Sequence, residues 1–216
     1  MYMKVLVIGA NGQIGQKVVR LLHANEQYTV RAMVRKEEQL EKLKNENIEA
    51  VYASLEGTVK ELEAAMKGCD AVVFTAGSGG STGSDKTLLI DLDGAAKSIE
   101  AAENVGVNRF IMVSALQAHH RENWNENLKP YYVAKHYADK ILEASSLDYT
   151  IIRPGGLTND AGTGKVDVAT NLTRGTIPRE DVAKVVVTSL TEEGTYKKSF
   201  DLLAGDKNIE QALKTL

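Results

Sequence analysis

Short apolar runs alternate with longer amphipathic stretches along almost the whole chain. The runs at Lys4–Ile8, Thr29–Val34, Glu49–Tyr52, Ala71–Thr75, Arg109–Val113, Tyr149–Ile152 and Ser199–Leu203 predict about seven strands. The inner runs are continuously apolar, as strands covered on both faces of a parallel sheet are. Between them the apolar positions recur every three or four residues. That spacing predicts helices near Ile14–Ala24, Glu37–Asn45, Val59–Met66, Lys86–Asn104, Tyr131–Ala144, Arg179–Leu190 and Ile209–Leu216. Strict strand–helix alternation with right-handed crossovers gives an α/β fold: a doubly wound, mostly parallel sheet flanked by helices. No internal repeat and no low-complexity linker divides the chain, so residues 1–216 are expected to form one domain.

Three segments exceed the usual connection length: Ala76–Asp85, Ala115–Pro130 and Pro154–Pro178. Each follows the C-terminal end of a predicted strand, the edge at which open α/β sheets bind ligands. The first, with its Gly77–Ser84 stretch, reads either as a lid or as a plain surface loop. The third, with the C-terminal tail, is the expected substrate region.

The first strand runs straight into Gly9-Ala10-Asn11-Gly12-Gln13-Ile14-Gly15, and an amphipathic helix follows. Gly9 permits the tight turn, Gly12 leaves room for a phosphate against the backbone, and Gly15 lets the helix pack on the strand. The helix points free N–H groups and its positive dipole end at the same spot. A dinucleotide in a Rossmann-type domain is the expected ligand.

Composition narrows the picture. Hydrophobic residues make up 43% and charged residues 25% of 216, and the net charge is -3. No basic field favours nucleic acid or an anionic membrane. The single cysteine, Cys69, cannot form an intramolecular disulfide, and its setting before a strand reads as structural. The N-terminus enters a strand at once, without a leader pattern or long apolar span. A cytoplasmic monomer or homodimer acting on a small molecule is expected, with no nucleic-acid or membrane partner.

The second strand ends in Met33-Val34-Arg35-Lys36, where an NAD site usually carries an acid for the ribose 2′-hydroxyl. Arg35 would instead bind a 2′-phosphate, with Arg31 or Lys36 assisting, so NADP(H) is favoured over NAD(H). Tyr131 and Lys135 stand four apart on one helix face. An ammonium beside a phenol lowers the phenol's pKa and suits it to proton transfer at a carbonyl or hydroxyl. Ser114, closing the strand before, would supply a hydroxyl to the same centre.

These features together resemble the extended or atypical short-chain dehydrogenase/reductases, close to the NAD(P)H-binding and NAD-dependent epimerase/dehydratase-like proteins. The resemblance spans the chain. It rests on the Gly9–Gly15 turn, Val113-Ser114-Ala115, Tyr131 with Lys135, Ile152-Arg153-Pro154-Gly155 and Asp181-Val182-Ala183. It implies Tyr131 as proton donor or acceptor, Lys135 as its partner and a ribose ligand, and Ser114 as the group polarising the substrate oxygen. It implies that the backbone of Asn11, Gly12, Gln13 and Ile14 holds the pyrophosphate, and that Thr75, Ala76 and Gly77 lie along the adenosine side. Pro154 and Gly155 would border the nicotinamide. Ser54 and Leu55 stand after the third strand, where the family often has an acid facing the adenine. Hydride transfer to or from a small carbonyl or hydroxyl substrate is the implied activity. The alternative is a non-catalytic NADP(H)-binding redox sensor.

Other residues invite weaker readings. His119 and His120 are adjacent, lack nearby acid or cysteine partners, and predict no metal site. They read as loop residues, with substrate contact as the alternative. Trp124 reads as a lid, an interface anchor or a side chain buried against the domain. Asp91 and Asp93, two apart on a helix, do not form a carboxylate pair.

Overall fold

The computed structural model describes residues 2–80 and 82–216. Ser81, within the Gly77–Ser84 stretch, lies outside the described residues. Strands β1 (Met3–Ile8), β2 (Tyr28–Val34), β3 (Glu49–Tyr52), β4 (Ala71–Phe74), β5 (Arg109–Val113), β6 (Asp148–Pro154) and β10 (Lys198–Ala204) match the seven apolar runs to within two residues at each end. They pair in parallel in the order β10-β6-β5-β4-β1-β2-β3. This is the Rossmann doubly wound arrangement, with its order reversing between β1 and β4.

Alternation along β1 explains why the sheet is covered on both sides. Val5 and Val7 join one core cluster with Val18, Leu22, Val182 and Val186, from α1 (Gln13–His23) and α7 (Arg179–Ser189). Leu6 and Ile8 join the other, with Leu62, Ile99 and Leu142. Those three come from α3 (Val59–Met66), α5 (Gly94–Val105) and α6 (Lys129–Ala144). Helix α2 (Glu37–Asn45) contributes no fully buried residue, in keeping with its charged sequence.

Three regions depart from the sequence reading. Pro154–Pro178 is not a loop. It holds β7 (Gly156–Thr158), β8 (Lys165–Ala169) and β9 (Thr176–Pro178). β8 extends the main sheet antiparallel to β10 and pairs with β11 (Lys207–Asn208), so that sheet has nine strands among the described residues. β7 and β9 form a separate parallel pair. These strands are three to five residues long and carry polar or glycine positions, so their pattern did not stand out from a loop.

The expected helix Lys86–Asn104 is also not uniform. A short α4 (Ser84–Lys86) passes into a π-helical stretch, Thr87–Asp93, and then α5. The wider turn brings Thr87, Ile90 and Asp91 inward together. Finally, α6 begins at Lys129, two residues early, because Pro130 suits a first helical turn where its missing N–H is not needed. The chain ends in α8 (Ile209–Leu213).

Arg109 opens β5 and is 5% exposed. Its guanidinium donates to the carbonyls of Asp148 (2.6 Å), Leu190 (3.3 Å) and Ser189, and to the hydroxyls of Thr150 (2.8 Å) and Thr195 (3.1 Å). It also lies 4.0 Å over the Tyr196 ring. Burial pulls its pKa down to about 10. One cation thus ties the C-terminal end of α7 to β5 and β6. Arg109→Met would strand several buried acceptors and should cost about 3 kcal/mol or more. Urea denaturation measures this; a loss below about 1 kcal/mol would show that the anchor lies elsewhere.

Candidate active site

Gly9 leaves β1 with φ +82, a left-handed conformation suited to glycine. A Cβ there would fall 2.7 Å from the Ala76 nitrogen, and one on Gly15 would fall 2.1 Å from the Gly9 carbonyl oxygen. A Cβ on Gly12 would sit 3.1 Å from that same oxygen. Gly12 donates its own N–H to Gly9 at 2.9 Å, which closes the turn. As the N-cap of α1, Gly12 supplies no side chain to the helix's first N–H groups. Asn11, Gly12 and Gln13 are exposed, while Ile14 and Gly15 are buried. An open turn ending in uncapped amides fits a dinucleotide's pyrophosphate.

Beside this turn stand the end of β5, which leads into Ser114, and the helix α6 that carries Tyr131 and Lys135. Ser114, just past β5, is 4% exposed, and its hydroxyl oxygen has no hydrogen-bond partner. Lys135 is also 4% exposed, on α6. Its ammonium donates to the carbonyls of Val113 (3.4 Å) and Ala76 (3.5 Å) and lies 5.8 Å from the Tyr131 ring centroid. Its counter-ion is Asp91, at 3.2 Å and fully buried in the π-helical stretch. The sequence reading weighed Asp91 only as a partner for Asp93 and so missed this role.

The expectation of a lowered Tyr131 pKa needs correction. Burial raises the phenol and Asp91 adds to the rise; Lys135 pulls the other way without prevailing. Burial alone would lower Lys135, but Tyr131 and Asp91 more than offset it and hold the ammonium raised. At neutral pH the pair is therefore a phenol and an ammonium.

A second buried pair lies one helical turn beyond. Arg153 of β6 meets Asp139 of α6 at 2.8 Å and Glu143 at 3.4 Å. Burial raises the Asp139 carboxyl; Arg153, and after it the nearby Ser114 hydroxyl, act to lower it. Both signals stood in the sequence. Asp139 continues the four-residue spacing of Tyr131 and Lys135, and Arg153 interrupts an apolar strand. Next to Arg153, fully buried Asp201 of β10 accepts from Leu172 N–H (3.0 Å) and the Gln117 amide (3.2 Å). His119 packs here, with Nε2 facing the Thr170 carbonyl at 3.0 Å and Nδ1 3.9 Å from Asp201 Oδ1. These contacts bind the segment after Ser114 to residues 170–172.

The remaining predicted residues distribute as follows. Arg35 is exposed at the end of β2. Arg31 does not join it. It is held by Glu49 at 2.6 Å and by the carbonyls of Ala65 and Lys67, while Lys36 pairs with Glu38. Ser54 accepts the Glu56 N–H in its own turn, and Leu55 is buried in the core. Thr75 donates to the Ile8 carbonyl at 3.0 Å, fixing the segment through Ala76 and exposed Gly77 against the glycine turn. Pro154 is buried, and its carbonyl accepts Leu116 N–H; Gly155 faces the Gly175 carbonyl where a Cβ would clash at 2.4 Å.

Trp124 packs against the domain: its ring stacks on Tyr132 at 5.9 Å, and its N–H reaches Ala118. Cys69 is buried, and burial raises its thiol. Fully buried Asp181 opens α7 and collects the N–H groups of Thr163 (2.8 Å) and Gly164 (2.9 Å), which anchors the turn before β8. No group of three or more His, Cys, Asp or Glu among the described residues is arranged to hold a metal ion. No helix among them is long and apolar enough to cross a membrane.

Comparison with known proteins shows the family and the fold. The NAD(P)H-binding family profile matches residues 9–193. The chain belongs to that family, among the atypical short-chain dehydrogenase/reductase and NAD-dependent epimerase-like proteins. It is 66% identical over 214 residues to the uncharacterized sugar epimerase YhfK of Bacillus subtilis, covering 99% of this chain and 100% of the relative. A provisionally named NAD-dependent epimerase/dehydratase from Bacillus halodurans superposes with a TM-score of 0.93 at 43% identity, over 99% of this chain and 100% of that one. The oxidoreductase ylbE from Lactococcus lactis superposes at 0.90 with 33% identity, over 99% and 96%.

His119 gives a pH prediction. Burial first, then the charges of Arg153 and His120, push its pKa from 6.5 down to about 4. The stability that its neutral ring contributes is present above pH 6.5 and is lost as the pH falls through about 4. Denaturation midpoints between those limits should fall less steeply for His119→Gln than for the unaltered protein. Equal slopes would assign the acid sensitivity to other groups.

Proposed function

We propose that the chain is an NADP(H)-dependent oxidoreductase, or an epimerase/dehydratase-like enzyme using the same chemistry, acting on a small carbonyl or hydroxyl substrate. The observation that carries this reading is the placement of Lys135 between the segment after β4, the end of β5 and the Tyr131 ring. The names of the epimerase and oxidoreductase relatives support it, and they do not favour a non-catalytic sensor.

The bound cofactor supplies hydride chemistry. The backbone of Asn11, Gly12, Gln13 and Ile14 would hold its pyrophosphate, in a turn that Gly9 and Gly15 shape. Thr75, Ala76 and Gly77 line its adenosine side, Ser54 and Leu55 border the adenine, and Pro154 and Gly155 border the nicotinamide. Lys135, whose carbonyl contacts are long, would bind the ribose. Arg35 takes the 2′-phosphate, which makes NADP(H) the preferred form.

Tyr131 gives a proton to the substrate oxygen in reduction and takes one in oxidation. Its raised phenol favours the donating state at neutral pH. Ser114 steadies the same oxygen with its buried hydroxyl. The substrate region comprises residues 154–178 and the C-terminal tail, braced by Asp181 and by the Gln117–Asp201 contacts.

Two experiments test this. Against a panel of carbonyl and quinone acceptors, Tyr131→Phe should lower NADPH-dependent turnover by about 100-fold or more while NADPH binding persists. A variant that turns over as fast as the parent would remove Tyr131 from the mechanism. In fluorescence titrations NADPH should bind more tightly than NADH, and Arg35→Ala should weaken NADPH about tenfold without affecting NADH. Equal losses for both would sink the phosphate assignment.

A further inference from the structure

We propose that Asp91 is a positioning residue: it keeps Lys135 an ammonium, fixes it at the strand edge, and joins it to the cofactor-side segment after β4. The proposal rests on the reading of Lys135 as the cofactor-side lysine and extends it to a residue that reading does not include.

An isolated lysine buried to this degree would shed its proton, because burial penalises the charged form. Lys135 has two hydrogen bonds, to the Val113 and Ala76 carbonyls, and both are long at 3.4 and 3.5 Å. Two weak neutral acceptors do not replace the hydration of an ammonium. The Asp91 carboxylate at 3.2 Å supplies the missing charge, with both side chains almost wholly buried. The other ionisable groups acting on Lys135 are Tyr131 and Asp139, both on α6, so Asp91 is the counter-ion delivered from outside that helix.

The carboxylate has a second attachment. Asp91 Oδ2 accepts the Ser78 N–H at 2.9 Å, and the hydroxyls of Ser78 and Thr87 meet at 3.3 Å. Gly77 makes this approach possible, since a Cβ there would lie 3.2 Å from Asp91 Oδ1. The π-helical stretch turns Asp91 inward to reach both partners. Asp91 Oδ1 also has no partner at hydrogen-bond geometry, although it faces the ammonium. That pairing leaves the ammonium's two long carbonyl contacts as the ones it can surrender to a cofactor hydroxyl. The aspartate then acts as a fixed pivot, and the segment lining the cofactor moves with the lysine as one unit.

The test needs no substrate. With 15N-lysine labelling, the Lys135 Nζ resonance is assigned by its absence in Lys135→Met and followed against pH. In the unaltered protein it should stay protonated to higher pH than the exposed lysines. In Asp91→Asn it should lose its proton at lower pH than in the parent. Identical titrations in the two proteins would overturn the proposal. If Asp91→Asn does not fold, the parent alone decides: a Lys135 that deprotonates before the exposed lysines overturns it.

NADPH fluorescence titration supplies a second reading. Asp91→Asn and Lys135→Met should each weaken binding about tenfold, and the double variant should bind no more weakly than Lys135→Met. Additive losses would show that Asp91 does not act through the lysine. Failure of the unaltered protein to bind NADPH would overturn the cofactor reading, while the lysine titration still judges Asp91.

Discussion

The contact on which most of this structure depends is the near-collision of Gly9 with Ala76 and Gly15. No side chain fits at Gly9 or Gly15, because a Cβ at either would fall within 2.7 Å of backbone atoms. That absence lets α1 lie against the end of β1 and lets the segment after β4 lie against the same turn. It also sets the position of the Ala76 carbonyl, which accepts from Lys135. The phosphate cradle and the lysine are thus placed by one steric constraint, although they are more than a hundred residues apart in the chain.

Charge is distributed unevenly around this framework. Beneath the middle of α1 and α7 lies a large apolar cluster, with Arg109 and Asp181 buried only at the two ends of α7. Beneath α6, near the C-terminal ends of β5, β6 and β10, the interior holds Lys135, Asp139, Arg153 and Asp201. Buried ions are costly, and an apolar replacement for a buried pair is often at least as stable. Their concentration at the ligand edge of the sheet, beside Ser114 and Tyr131, is what a site handling protons requires. Arg109 is a different case: it lies at the opposite end of β5 and is surrounded by acceptors that use nearly all its donors, which suits an anchor.

Local pattern was a good guide wherever a segment is buried on two faces. Ala71–Phe74 and Arg109–Val113 are uninterrupted apolar runs because helices cover both sides of them, and their limits could be read almost to the residue. Lys165–Ala169 is a real strand on the same sheet, but it lies near the edge and is half solvated. Its alternation over five residues was too short to separate from a loop. The π-helical stretch was illegible for another reason: its apolar spacing is close to that of an α-helix, and only the folded backbone shows the wider turn. Tyr131 shows the limit for chemistry. The four-residue spacing put it on the same helix face as Lys135, 5.8 Å from its ammonium, yet the sign of its pKa shift depended on burial and on an aspartate from another element.

The sequence alone determined the order of strands and helices, the glycine turn, and the candidate trio of Ser114, Tyr131 and Lys135. Each is written in local spacing: period and apolar run length for the elements, absent side chains for the turn, and one helical repeat for the tyrosine and lysine. The tertiary structure decided what those groups face. Asp91, Asp139, Arg153 and Asp201 come from four separate elements, and no local pattern specifies that they meet. Desolvation and Coulomb interactions depend on distance in space, so the protonation of Tyr131 and Lys135 became legible only once the sheet had brought these charges together.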